Sequence, residues 1–207
     1  MDVHGMPVIN PLAIAEHERS DGENVRQQLA ILAYFEDQVW QALGLFNYTT
    51  DFIEALKAGG RPLGARTAKA PWYHMAATYA VLMIYNFRDA LHAVRDSARR
   101  VRAFGPAING IEEAIDEFEA DFPDCKALRD NVGHFVDKIY NAAKRAKHQA
   151  ADEAHFHGSV IGNDYVFFHE GRRISLTMDD VAPNKLCRIK RRVYAAFPQE
   201  KLWLIPA

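Results

Sequence analysis

Cysteine is scarce in this chain: Cys125 and Cys187 are the only two among 207 residues. Two thiols so far apart make neither a disulfide framework nor a metal-spaced cluster, and they point to a reducing, cytoplasmic setting. An excess of one charge is lacking too. With 25 basic and 27 acidic residues the formal net charge is −2, which excludes a protein that coats nucleic acid by bulk charge; such a contact would need a local patch. The first residues have no basic segment followed by a continuous apolar run, so no secretory signal is expected. The most apolar stretch, Ala70 to Phe87, is broken by His74, Thr78 and Asn86 and followed at once by Arg88 and Asp89. It reads as a central helix buried on most sides and not as a membrane span.

Other absences narrow the chemistry. The glycine-bearing stretch from Ala58 to Thr67 lacks the lysine and the flanking strand of a phosphate-binding loop. There is no dinucleotide fingerprint, no nucleophile elbow and no His-Glu-x-x-His. Internal repeats and low-complexity segments are missing as well.

What is present is helical periodicity. After an irregular arm over 1–23 that ends in turn chemistry, Val25, Leu29, Leu32, Phe35, Val39 and Leu43 recur at three- and four-residue steps. A shorter helix is expected from an N-cap at Thr50 or Asp51 to the stop at Gly59-Gly60. Pro71 suits the first turn of a long helix running to about Arg102. An acidic helix over 111–122 ends near Pro123, and the next begins near Asp124. Val132, Val136, Ile139 and Tyr140 supply its apolar stripe and leave Arg129, Asp130, Asn131 and His134 largely outside it. Past Ala154 the β-branched and aromatic runs, split at Gly162-Asn163-Asp164 and at Glu170-Gly171, predict a two- or three-stranded antiparallel unit. A last helix spans about Pro183 to Phe197. The fold class is therefore mainly α: an up-and-down helical bundle over 24–154, with an appended β-hairpin or small sheet and a closing helix over 155–207. The aromatic group Trp72, Tyr73, Tyr79, Tyr85 and Phe87 is most simply core filling, with a ligand pocket between helices as the other option.

One stretch concentrates chemistry. In "LRDNVGHFVDK", Asp130 and His134 stand four apart, so on a helix a carboxylate–imidazole hydrogen bond is feasible. That contact would fix the tautomer and raise the imidazole pKa, as a general acid or base near neutrality requires. Arg129 lies further round the helix, but its long side chain can reach an anion held near the imidazole. Gly133, at about 1 kcal/mol against alanine in mid-helix, suggests that another backbone packs close. The plain structural alternative pairs Arg129 with the preceding acidic helix and ties His134 to Asp130.

These residues resemble the motif of the HEPN superfamily, helical bundles that include metal-independent endoribonucleases of toxin and defence systems. Arg129 matches its arginine, Asp130 the polar residue that follows, and His134 the histidine after a four-residue gap. The resemblance covers roughly Asn24 to Asp152 and implies a HEPN-like fold, an RNA substrate and a dimer joining two motifs. His134 would act as general acid/base, Asp130 would orient it, Arg129 would hold the phosphate and Asn131 would help position it. It also implies no cofactor and no metal, and a partner such as an antitoxin or a nucleotidyltransferase-type protein. The competing class is a non-catalytic helical scaffold or binding protein in which the same motif stabilises a dimer.

Two further clusters stand out. Lys185, Arg188, Lys190, Arg191 and Arg192 lie opposite the apolar stripe of the last helix and could track an RNA backbone. Alternatively they dock on the acidic helix bearing Glu112, Glu113, Asp116, Glu117 and Glu119, or form a solvated face. His155 and His157, two apart on a strand, share a face, and His148 with Asp152 could add metal ligands; a surface strand with two histidines is the simpler reading.

Overall fold

Charge-free and charge-rich helix halves alternate along the chain, and a computed structural model shows what they build. It describes residues 6, 7, 9, 14–59, 70–133 and 159–197. The elements run α1 (Arg19–Ala58), α2 (Ala70–Ala98), a 3-10 helix (Arg102–Ala107), α3 (Ile108–Asp121), α4 (Cys125–Gly133), β1 (Ser159–Ile161), β2 (Asp164–His169), β3 (Arg172–Thr177) and α5 (Val181–Ala196). The mainly helical class with a small antiparallel sheet is as expected. None of the described helices is long and apolar enough to cross a membrane.

Two boundaries differ from the expectation. The first two helices are one, the 40-residue α1. The Thr49 and Thr50 hydroxyls donate back to the carbonyls of Leu45 (2.7 Å) and Phe46 (3.0 Å), so they serve the helix interior and not a new N-cap. At the other end, Ser20, Asp21 and Gly22 lie inside α1. A Cβ at Gly22 would stand 2.5 Å from Ile14 Cδ1, so the glycine there seats a buried isoleucine.

The described chain forms two compact units. The first takes 1–37, 86–123 and 183–207; the second takes 38–85 and 124–182. Both long helices thus contribute one half to each.

In the first unit, Val25, Leu29 and Leu32 of α1, Phe87 and Leu91 of α2, and Leu186, Ile189 and Val193 of α5 are fully buried. Phe87 stacks on Phe118 at 6.1 Å, and Phe104 meets Phe197 edge-on at 5.4 Å. A Cβ on Gly110 of α3 would sit 2.7 Å from Ala196 Cβ, so α3 and α5 approach closely there. Beyond that contact the helices are laced by charge. Arg188 pairs with Glu117 and Asp121, Arg192 with Glu117 (2.7 Å) and Glu113 (3.2 Å), and Lys185 with Asp121 (3.2 Å). Deeper in, Lys190 and Glu36 form an ion pair with both residues buried, and Tyr194 donates to the Leu29 carbonyl at 2.9 Å. Burial, aided by Glu36, pushes the nearby Cys187 thiol above the usual range, with Arg191 and Lys190 opposing.

In the second unit the sheet order is β1-β2-β3, all antiparallel. Gly162 (φ 61°) closes the first hairpin, and Glu170 with Gly171 (φ 52° and 76°) closes the second as a type I′ turn. Tyr165 pairs with Leu176 and Phe167 with Ile174, which puts four buried side chains on one face. Arg172 ties β3 to Asp124 at the start of α4.

Two tests follow from the first unit. Lys190→Met strands a buried carboxylate and is expected to cost about 3–5 kcal/mol, whereas adding Glu36→Leu recovers most of it. Urea denaturation midpoints of the single and double variants check this.

The second concerns His92. Burial first, then Arg88 and Arg95, hold His92 below the ordinary histidine range against the pull of Glu119 and Asp96. The unfolded chain therefore takes up this proton first, at about pH 6.5. The contribution of neutral His92 is complete above that value and falls away on acidification. The drop in melting temperature between about pH 7.5 and about pH 5.5 should be smaller in His92→Gln.

Candidate functional site

The arginine motif lies on α4, in the second unit. That helix buries Cys125, Leu128 and Asn131, three residues apart each time, so Asn131 continues the apolar stripe while Val132 is only half-buried. This phase places Arg129 and Asp130 at the margin of the core. Arg129 Nη1 donates to Asp130 Oδ1 and Nη2 to the Tyr85 hydroxyl, both at 2.9 Å, and its guanidinium carbon stands 4.4 Å from the Tyr85 ring centre. The guanidinium is thus held at two corners and against an aromatic ring, with the side chain still 36% exposed. Neither Asp130 nor Tyr85 belongs to the acidic helix with which the plain alternative paired Arg129. His134 lies outside the described residues, and so does its relation to Asp130.

Asn131 has a different surrounding. It is 1% exposed, and with Thr78 of α2 it faces the hydroxyl of Tyr165. Burial pushes the Tyr165 hydroxyl above its usual range, with Thr78 and Asn131 pulling the other way. The His74 ring meets the same tyrosine edge-on at 5.6 Å. Asn131 is therefore a polar member of the core; the expectation that it lies outside the apolar stripe does not hold. Gly133 is exposed, and no described residue lies within 4 Å of where its Cβ would be.

Three of the five basic residues on α5 follow the docking alternative, and Lys190, expected opposite the apolar stripe, is buried. Lys185, Arg188 and Arg192 are paired with α3, and Lys190 is buried against Glu36; Arg191 is exposed. His148, Asp152, His155 and His157 lie outside the described residues, and among the described ones no group of three or more potential ligands could hold a metal ion.

The aromatic group read as core filling, with a pocket between helices as the other option, is partly exposed along α2's first half. Core filling holds for Phe87, but Trp72 is 51% exposed, and Tyr79 is exposed as well. They are joined by Met75 (62%), Tyr48 (65%) and Leu45. Between the two helix halves runs a groove of about 570 Å³ lined by Gln41, Leu45, Met75, Thr78, Tyr79 and Leu82. The Tyr79 hydroxyl donates to Gln38 Oε1 at 2.8 Å across it. The available signal was the run of residues from Gln38 to Thr50 and from Ala70 to Phe87 with no Asp, Glu, Lys or Arg.

No family model, no curated protein and no solved structure matches this chain. The class defined by fold and site is a mainly helical protein with a small sheet, an arginine clamped at the edge of one core and an uncharged apolar face.

Asn131→Leu should destabilise the protein by about 1–3 kcal/mol, because it leaves the buried Tyr165 hydroxyl short of a partner. Arg129→Ala, at a half-exposed position, should cost less than about 1 kcal/mol. Thermal melts of both variants test the ordering; equal losses would remove the distinction between core and margin.

Proposed function

We propose that this chain is a non-catalytic helical binding module that engages a protein through the uncharged face of α1 and α2. The observation that carries the reading is that face itself. Leu45, Met75 and Tyr79 are exposed along one groove, and Tyr48 and Trp72 are exposed three residues from Leu45 and Met75 on the same segments, which are free of acidic and basic residues. Contiguous apolar surface of this kind marks protein contacts far more often than solvent-facing helix. The pairing of Arg188 and Arg192 with carboxylates of α3 also leaves less positive charge on α5 to track a phosphate backbone.

A second reading keeps the HEPN-like endoribonuclease of a toxin or defence system, with Arg129 gripping the phosphate and His134 as general acid/base. It is favoured by one feature, the half-exposed Arg129 guanidinium pre-set against Tyr85.

The two readings part in one pair of experiments. A photo-reactive residue in place of Met75 should give protein adducts in cells, and Leu45→Glu should remove them. Purified protein should leave single-stranded RNA intact in EDTA, with His134→Ala indistinguishable from wild type. An absence of any protein adduct sinks the binding module, and RNA cutting that His134→Ala abolishes would put the ribonuclease in its place.

A further inference from the structure

We infer that the partner on the α1–α2 face is a second copy of this chain, an inference that rests on the binding-module reading above. Three properties of the face support self-recognition.

The first is charge. In a two-fold interface the same patch meets itself, so residue i touches j and j touches i. Any formal charge near the axis then meets its own sign. The rest of the chain carries charge at ordinary density, 25% of residues overall, yet the two helix segments that border the groove have none. A face built for a charged partner has no reason to be cleared in this way.

The second is hydrogen bonding. The polar side chains at the groove are Gln38, Gln41 and Tyr79, since the Thr78 hydroxyl is buried toward Tyr165. A primary amide and a hydroxyl each both donate and accept. Such a set pairs with its own image without leaving two donors or two acceptors face to face. A face of carboxylates or ammonium groups has no such freedom.

The third is area. Taking side chains of these sizes at their observed exposures, Leu45, Tyr48, Trp72, Met75 and Tyr79 offer roughly 500 Å² of apolar surface. A standard interface buries about 800 Å² per partner, a little over half of it apolar, or roughly 450 Å². The face supplies the apolar portion that a stable dimer needs and little more. It also lies at the upper end of what monomeric proteins leave open to water.

The interface so defined does not use Arg129 or Asp130, which bond to each other while Arg129 also reaches Tyr85. A dimer held by the arginine motif and a dimer held by this face are therefore separable by mutation.

Sedimentation velocity on the full chain over a wide concentration range is the test. The wild type should sediment as a dimer that dissociates on dilution. Met75→Glu should weaken self-association by at least about thirtyfold, the effect of losing a centrally placed anchor. Its helical circular dichroism and melting temperature should stay those of the wild-type monomer. If Met75→Glu fails to fold, Tyr48→Glu, at the most exposed of the five positions, takes its place. Arg129→Ala should remain dimeric. A wild type that is monomeric throughout, or a Met75→Glu protein that dimerises as well as wild type, overturns the inference. A monomeric wild type that still gives adducts from position 75 means that the face binds a different protein, whereas loss of both results removes the binding module as well.

Discussion

Neutralisation of α5 by α3 is the constraint on which the first unit depends. Arg188 and Arg192 each bridge two carboxylates, and neighbouring bridges share Glu117 and Asp121, so the pairs form one network and not separate surface contacts. Isolated exposed pairs contribute about 0–1 kcal/mol each. Their larger effect here is on register. Gly110 admits Ala196 at one end of the helix pair, and Lys185 reaches the Asp121 carboxylate and carbonyl at the other. Sliding α5 by one turn would break the ladder and leave Lys190 away from Glu36, at the cost of an unpaired buried charge. A helix that looks basic in isolation is thus committed to an internal partner.

The second unit is organised by the opposite principle. Its halves of α1 and α2 have no Asp, Glu, Lys or Arg through 38–50 and 70–85, so packing and hydrogen bonds hold these stretches. Phe46 against Tyr73 at 6.4 Å and Tyr79 against Gln38 link them. Ion pairs in this unit occur at α4 and the sheet, where Arg129 meets Asp130 and Arg172 meets Asp124. Removing charge from a helix pair that remains partly exposed sacrifices solubility, and such a pattern persists where the exposed side is covered in use.

Much of the helical content was legible because periodicity survives without tertiary information. The seam from Val25 to Leu43, the glycine stop after Ala58 and both hairpin turns all read directly from residue type. Thr50 misled because a hydroxyl that can cap a helix can equally bond back to the fourth preceding carbonyl, and only the surrounding chain selects between them. Trp72 and Tyr79 misled for a related reason. An aromatic on an apolar helix is assigned to the core by composition, while exposure depends on how many neighbours the fold supplies to that side. The α5 basic stripe was correctly located, but its partner was a choice among three, and complementarity with α3 became decisive only once the helices were adjacent.

Asn131 carries the most instructive shift in the candidate site. Read as a polar residue beside Arg129 and Asp130, it seemed to extend a reactive surface. Yet Cys125, Leu128 and Asn131 fall on one stripe of α4, and β2 brings Tyr165 opposite that stripe. A tyrosine buried that deeply needs polar company for its hydroxyl, since desolvation without a hydrogen bond costs more than the packing of an aliphatic residue would return. Asn131 of α4 answers that need, with Thr78 of α2 beside it. The same helix phase that buries Asn131 turns Arg129 to the margin and into the grip of Tyr85. Asn131, one of the four motif residues, is therefore explained by folding alone, and a chemical role has to rest on Arg129 and Asp130 with whatever His134 brings to them.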